Sequence, residues 1–134
     1  MLTDEMRQEL IQVAIKNMGR AYAPYSNYPV SAALLTSSGI IFTGVNIENA
    51  AYPTSICAER VAVFKAVSEG ETSFQAIAVV TPNGGTPCGS CRQVLSEFGL
   101  DTVVIIADKS GKIVLEKSVA ELLPGAFRPD DLSF

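Results

Sequence analysis

The chain has three cysteines and no histidine, so chemistry on this sequence has to begin with thiols. Cys57 stands in "ICAER", and Cys88 and Cys91 stand three apart in "PCGSC". Both stretches read as helix starts. Three thiols cannot all pair as disulfides, and three thiolates brought to one point repel strongly unless a cation sits among them. Zinc suits such a site best, because it takes thiolate sulfur in tetrahedral geometry. The partial positive charge of a helix N-terminus lowers thiol pKa. Arg60 and Arg92, each just inside a helix start, would offset the excess negative charge further.

Three protein ligands leave a fourth position open, and an open position distinguishes catalytic zinc from structural zinc. Glu59 lies two residues past Cys57. On the side of a helix that spacing separates two side chains, but at the first turn both can curl over the helix end toward one metal. A carboxylate placed there can take a proton from an acidified water and hand it to a substrate nitrogen. That is machinery for hydrolytic attack on an electrophilic carbon. Two other readings stay open on the residues alone. Cys88 and Cys91 could form a thioredoxin-like redox pair, which leaves Cys57 and Glu59 without a role, or a fourth carboxylate could close a structural zinc site.

The elements that must position these groups are well punctuated. Thr3 caps a helix with Asp4 and Glu5 in its first turn, an apolar stripe through Met6, Leu10 and Val13, and a stop at Gly19. After a proline-marked loop, "VSAALLT" and "IIFTGVN" flank "SSG" as a hairpin. "CAERVAVFKAVSEG" and "CGSCRQVLSEFG" read as helices ended by Gly70 and Gly99, and each is followed by a buried strand or preceded by one, "FQAIAVV" and "TVVIIA". "DKSG" turns into "KIVLEK", and "SVAELLPGAF" opens with a capping box of Ser118 and Glu121. The order predicts an α/β fold: a three-layer α/β/α sandwich around one five-stranded mixed sheet. The two strand-helix-strand crossovers are expected to be parallel, and the last two strands, joined by four residues, antiparallel.

At 134 residues the chain is expected to form a single domain, 1–134, able to bury a core without disulfide staples. Its N-terminus has neither the basic nor the apolar region of a signal peptide, and no apolar run reaches the ~20 residues of a membrane span. A cytoplasmic setting with reduced thiols follows as the expectation. The formal charge of −4, with ten scattered Lys and Arg, argues against a nucleic-acid partner, which would call for a basic patch.

"NIENAAY", "CAER" and "PCGSCRQ" closely resemble the homotetrameric cytidine deaminases of pyrimidine salvage, and the likeness runs from "AYAPYS" to "ELLPGAF". C-A-E followed by P-C-x-x-C is the signature of the zinc deaminase superfamily. The resemblance implies zinc on Cys57, Cys88 and Cys91, and Glu59 as proton shuttle in the conversion of cytidine or 2′-deoxycytidine to the uridine product and ammonia. It implies that Asn46 and Glu48 hold the ribose 3′-hydroxyl, that the Ala58 backbone meets the base, and that Arg60 hydrogen-bonds zinc thiolates. Tyr28 would lie near the base, with Phe127 coming from a neighbouring subunit of a homotetramer. Tyr52 would also reach a neighbour's site. Ser31, Val45 and Tyr28 depart from the Gly, Cys and Phe commoner in the family. A blasticidin-S-type deaminase shares the zinc motifs and stands as the alternative substrate reading. A non-catalytic zinc-binding module is the alternative of a different class.

Overall fold

The computed structural model describes residues 1–133. Its chain order is α1 (Asp4–Asn17), β1 (Ser31–Thr36), β2 (Ile41–Val45), α2 (Ala58–Ser68), β3 (Phe74–Thr81), α3 (Gly89–Glu97), β4 (Val103–Asp108), β5 (Ile113–Ser118) and α4 (Val119–Leu122). The five strands form one mixed sheet in the order β2-β1-β3-β4-β5. β1 is antiparallel to both of its neighbours, β3 and β4 pair in parallel, and β4 and β5 are antiparallel as the short turn requires.

Helices cover both faces, which explains why β1 is buried at every position. Leu10, Ile11 and Ala14 of α1 pack on one face against Ala33, Leu35, Ala76, Val80 and Ile105. The other face receives Ala58, Ala62, Val63 and Ala66 of α2, Leu95 of α3 and Val119 of α4, against Leu34, Ile77, Val79 and Ile106. Alternate residues of one strand therefore serve opposite layers. Thr3 caps α1 and Ser118 caps α4 with capping boxes.

The expected end of α1 needs correction, and the parallel crossovers hold with one difference in pairing. The α1 helix ends at Asn17, and a 3-10 turn over Met18–Arg20 carries the chain past Gly19. Only the β3–α3–β4 crossover joins paired parallel strands. β2 and β3 run the same way, but β1 inserts between them. A hairpin partner close in sequence takes the edge that the crossover strand would otherwise have used.

One close approach fixes the site's position. A Cβ on Gly44 would stand 2.3 Å from the Ala58 carbonyl oxygen and 2.5 Å from the Ala62 nitrogen. The first turn of α2 therefore lies directly on the backbone of β2, with no room for any side chain. That contact sets where Cys57 and Glu59 begin.

Candidate active site

Cys57 and Cys88 are the N-cap residues of α2 and α3, and neither end has a side-chain cap. No side chain therefore takes up the first-turn N–H groups of either helix, whose partial positive charge stays at the cysteine end. Cys91 follows one turn into α3 and is fully buried, Cys57 is half-buried, and Cys88 is exposed. All three Sγ atoms lie within 4.8 Å of one another. Cys57 and Cys88 are 3.8 Å apart and Cys88 and Cys91 3.4 Å. Tetrahedral zinc with bonds of ~2.3 Å places its sulfurs ~3.8 Å apart, so the three thiols fit that ion with small adjustments. All three are free thiols, arranged as a triangle rather than as one pair plus a spare.

The thiols resist joint ionisation. Cys57 is pulled down to about 5, chiefly by sharing the Cys91 thiol proton, and further by Arg60. Cys91 is pushed up, first because it gives that hydrogen bond, then by burial and by the charges of Glu59 and Cys57. Cys57 ionises easily while Cys91 holds its proton, so a metal bound by both thiolates displaces a proton here. Arg60 donates from a terminal guanidinium nitrogen to Cys57 Sγ at 3.4 Å, while its buried Nε has no partner. Arg92 departs from expectation. Its donors go to the carbonyls of Pro87 and Leu122 and to the Thr86 hydroxyl, so it braces the backbone before Cys88 instead of facing sulfur.

Glu59 is 4% exposed. Burial, reinforced by the neighbouring Cys57 charge, raises its pKa. It lines a cavity of about 420 Å³ together with Cys57, Cys88, Arg60, Asn46 and Glu48. Of the other positions singled out in the sequence, Tyr28 also lines this cavity. Its hydroxyl donates to Asn83 Oδ1 at 2.6 Å. Ala58 is the fully buried first residue of α2.

A second group of cavity-lining residues is built on the segment after β2. Ile47 bridges to both Tyr22 and Ile56. Backbone bonds from Tyr22 to Asn46 and from Glu48 to Tyr22 hold Asn46 and Glu48 on one side. The Asn46 amide accepts from Val30 N and donates to the Tyr28 carbonyl, both at 2.9 Å. Glu48 accepts from the Tyr25 and Ser26 amides and from the Ser26 hydroxyl. Those bonds hold its pKa below the usual carboxylate value, the Ser26 hydroxyl most strongly.

Two aromatics lie outside the cavity. Tyr52 is 69% exposed and packs edge-on against Tyr25, in a neighbouring depression that shares Ser26, Glu48 and Ser55 with the main cavity. Phe127 is 56% exposed, its carbonyl held by Gln93. Sequence reasoning did not single out Ser26, Thr81 or Asn83. Ser26 sits inside "AYAPYS" but carries no chemical signal by type. Thr81 ends an apolar strand, and only its bond to the Gly85 amide reveals a role in the following loop.

Residues 4–107 match the family described as "Cytidine and deoxycytidylate deaminase zinc-binding region". The chain belongs to this family. It is 48% identical to a cytidine deaminase of Sporosarcina psychrophila over 95% of each chain. It is 49% identical to one from Halalkalibacterium halodurans, covering 95% of this chain and 98% of that one. In three dimensions it is similar to the crystal structure of a cytidine deaminase from Burkholderia pseudomallei, with TM-score 0.85, 42% identity, and coverage of 93% of this chain and 99% of that one. The three-thiol cluster agrees with the zinc-binding character of the family, with one ion per chain. No helix among the described residues is long and apolar enough to cross a membrane.

Proposed function

We propose that this chain, as a single domain, hydrolytically deaminates cytidine and 2′-deoxycytidine to uridine and 2′-deoxyuridine, releasing ammonia. The observation that carries this reading is one cavity with a buried acid and two thiols of the three-thiol cluster at one end and a hydrogen-bonded amide and carboxylate at the other. A nucleoside has the same two ends: an electrophilic base carbon and a sugar with hydroxyl donors.

Cys57, Cys88 and Cys91 hold the zinc. Zinc bound there supplies the Lewis acidity that makes water a nucleophile at neutral pH. Asn46 and Glu48 receive the 3′-hydroxyl, with Glu48 kept ionised as an acceptor by Ser26. The Ala58 backbone and Tyr28 orient the base. Glu59 takes a proton from the attacking water and delivers it to N3, which draws electron density from C4. It then carries the attacking water's second proton to the amino group as the C4–N4 bond breaks, ammonia leaves and the new C4–O bond becomes the carbonyl. Its burial raises its pKa and so favours its holding the proton between the two transfers. Arg60 stabilises the Cys57 thiolate without leaving its helix.

The family resemblance supports a homotetramer in which Phe127 and Tyr52, both exposed on the isolated chain, serve a neighbour's site. It also supports a cytoplasmic place in pyrimidine salvage without a nucleic-acid partner. The test is the ultraviolet absorbance of cytidine incubated with zinc-loaded protein beside a Glu59→Gln control. Loss of the cytidine band with the parent alone supports the assignment. No change with either, while zinc is bound stoichiometrically, sinks it; blasticidin S run in the same assay then tests the alternative substrate.

A further inference from the structure

Resting on the zinc assignment above, we propose that Arg92 is a positioning residue for the metal, acting on Cys88 through the backbone that delivers it. Cys88 caps α3 without any side-chain cap of its own, and its thiol is exposed. Apart from the backbone bond from Arg92 N to the Cys88 carbonyl, the helix start therefore lacks a cap to fix the direction from which the chain arrives. The guanidinium of Arg92 does so from one turn inside. Its Nε donates to the Pro87 carbonyl at 2.9 Å, one terminal nitrogen donates to the Leu122 carbonyl at 2.8 Å, and the other to the Thr86 hydroxyl at 3.3 Å.

Two of these three acceptors belong to the residues immediately before Cys88. The third belongs to the last residue of α4, so the clamp ties the approach to Cys88 to a separate packed element. The same loop is held at its far end by the Gly85 amide on Thr81 and by Tyr28 on Asn83. Arg92 supplies the tether nearest the sulfur. A planar fork with donors in fixed directions can reach three acceptors at once, which a lysine ammonium on its flexible stem does not reproduce. Groups that orient metal ligands without touching the metal commonly govern affinity by about 10–100-fold.

Zinc competition against a chromophoric chelator separates this role from plain fold support. The proteins compared are the parent, Arg92→Gln, Arg92→Lys, and an Arg7→Gln control that removes the ion pair to Glu116 far from the site. Positioning predicts that both Arg92 variants bind zinc about 10–100-fold more weakly. The Arg7 variant should bind like the parent. It also predicts that melting temperature falls more in zinc-loaded Arg92 variants than in zinc-stripped ones. An unchanged zinc affinity in Arg92→Gln overturns the proposal, as does an equal melting loss with and without zinc. Parental affinity in Arg92→Lys also overturns it, since charge alone would then suffice. If the glutamine variant does not fold, the lysine variant carries the test under the same criteria. A parent that binds no zinc would instead sink the metal assignment itself.

Discussion

The two ends of the cavity are built in different ways. At the sulfur end, Cys91 and Glu59 are buried, and the start of α2 lies on the sheet, with Gly44 admitting its backbone to contact. At the end proposed to hold the sugar, Asn46 is buried just past the end of β2, whereas Glu48 is held in place by exposed loop amides and a serine hydroxyl. The difference follows from what each end has to do. Moving protons next to a cation requires low dielectric and fixed geometry, which only packed regular elements provide. Holding a hydroxyl requires only an acceptor at hydrogen-bonding distance, and a loop-held carboxylate such as Glu48 can supply one.

If this contrast is right, the largest effect belongs to Glu59→Gln. The change should cost about 10²–10⁴-fold in kcat while leaving zinc content intact. The melting temperature should stay level or rise, because a buried carboxylate gives way to a neutral isostere. Steady-state kinetics with metal analysis and calorimetry would check all three together. A collapse in zinc content or stability would mean that the acid serves the fold, and the contrast would fail.

Next comes the support beneath that end. Gly44→Ala puts a methyl group against the backbone of α2, which cannot swing aside like a flexible side chain. We expect a loss of about 1–3 kcal/mol of stability or more, or displacement of the first turn with weakened zinc. Thermal unfolding with and without zinc distinguishes these outcomes. A tolerated substitution would show that the helix start is more yielding than its close contact implies.

The sugar end should respond differently. Glu48→Gln removes an ionised acceptor and should raise KM by about tenfold or more, with kcat and zinc content changed much less. A kcat loss as large as that of Glu59→Gln would erase the distinction between the two ends.

The same division governs what could be read from the sequence. The zinc triangle was legible because it depends on residue type and spacing near two helix starts, and glycine stops and apolar runs mark those helices. The strand order was only half legible. Hydrophobic runs identify β2 and β3, but they do not say that β1 will slip between them, since that outcome is settled by pairing across the sheet. Arg92 was misread for a related reason. Its charge and its position suggested a thiolate partner, whereas its three acceptors include two backbone carbonyls, which are invisible in a sequence. Ser26 escaped notice because nothing about a serine in a proline-marked loop announces that it will hold a carboxylate.

That serine gives the smallest predicted effect and the finest test of the loop-built end. The Ser26 hydroxyl and two amides bond the charged form of Glu48, so its folded pKa lies below its ordinary value of 4.5. The stabilisation this brings is fully present above that ordinary value and disappears as pH falls through the lowered one. Ser26→Ala removes the strongest of the three contributions and should move the Glu48 titration up toward 4.5, readable from its carboxyl carbon by NMR. Nucleoside affinity should then weaken at a higher pH in the variant than in the parent, with little change near neutrality, where both carboxylates are ionised. An unmoved titration would mean that the two backbone amides suffice to hold Glu48. The recognition end would then be as firmly preset by its backbone as the sulfur end is by its helices.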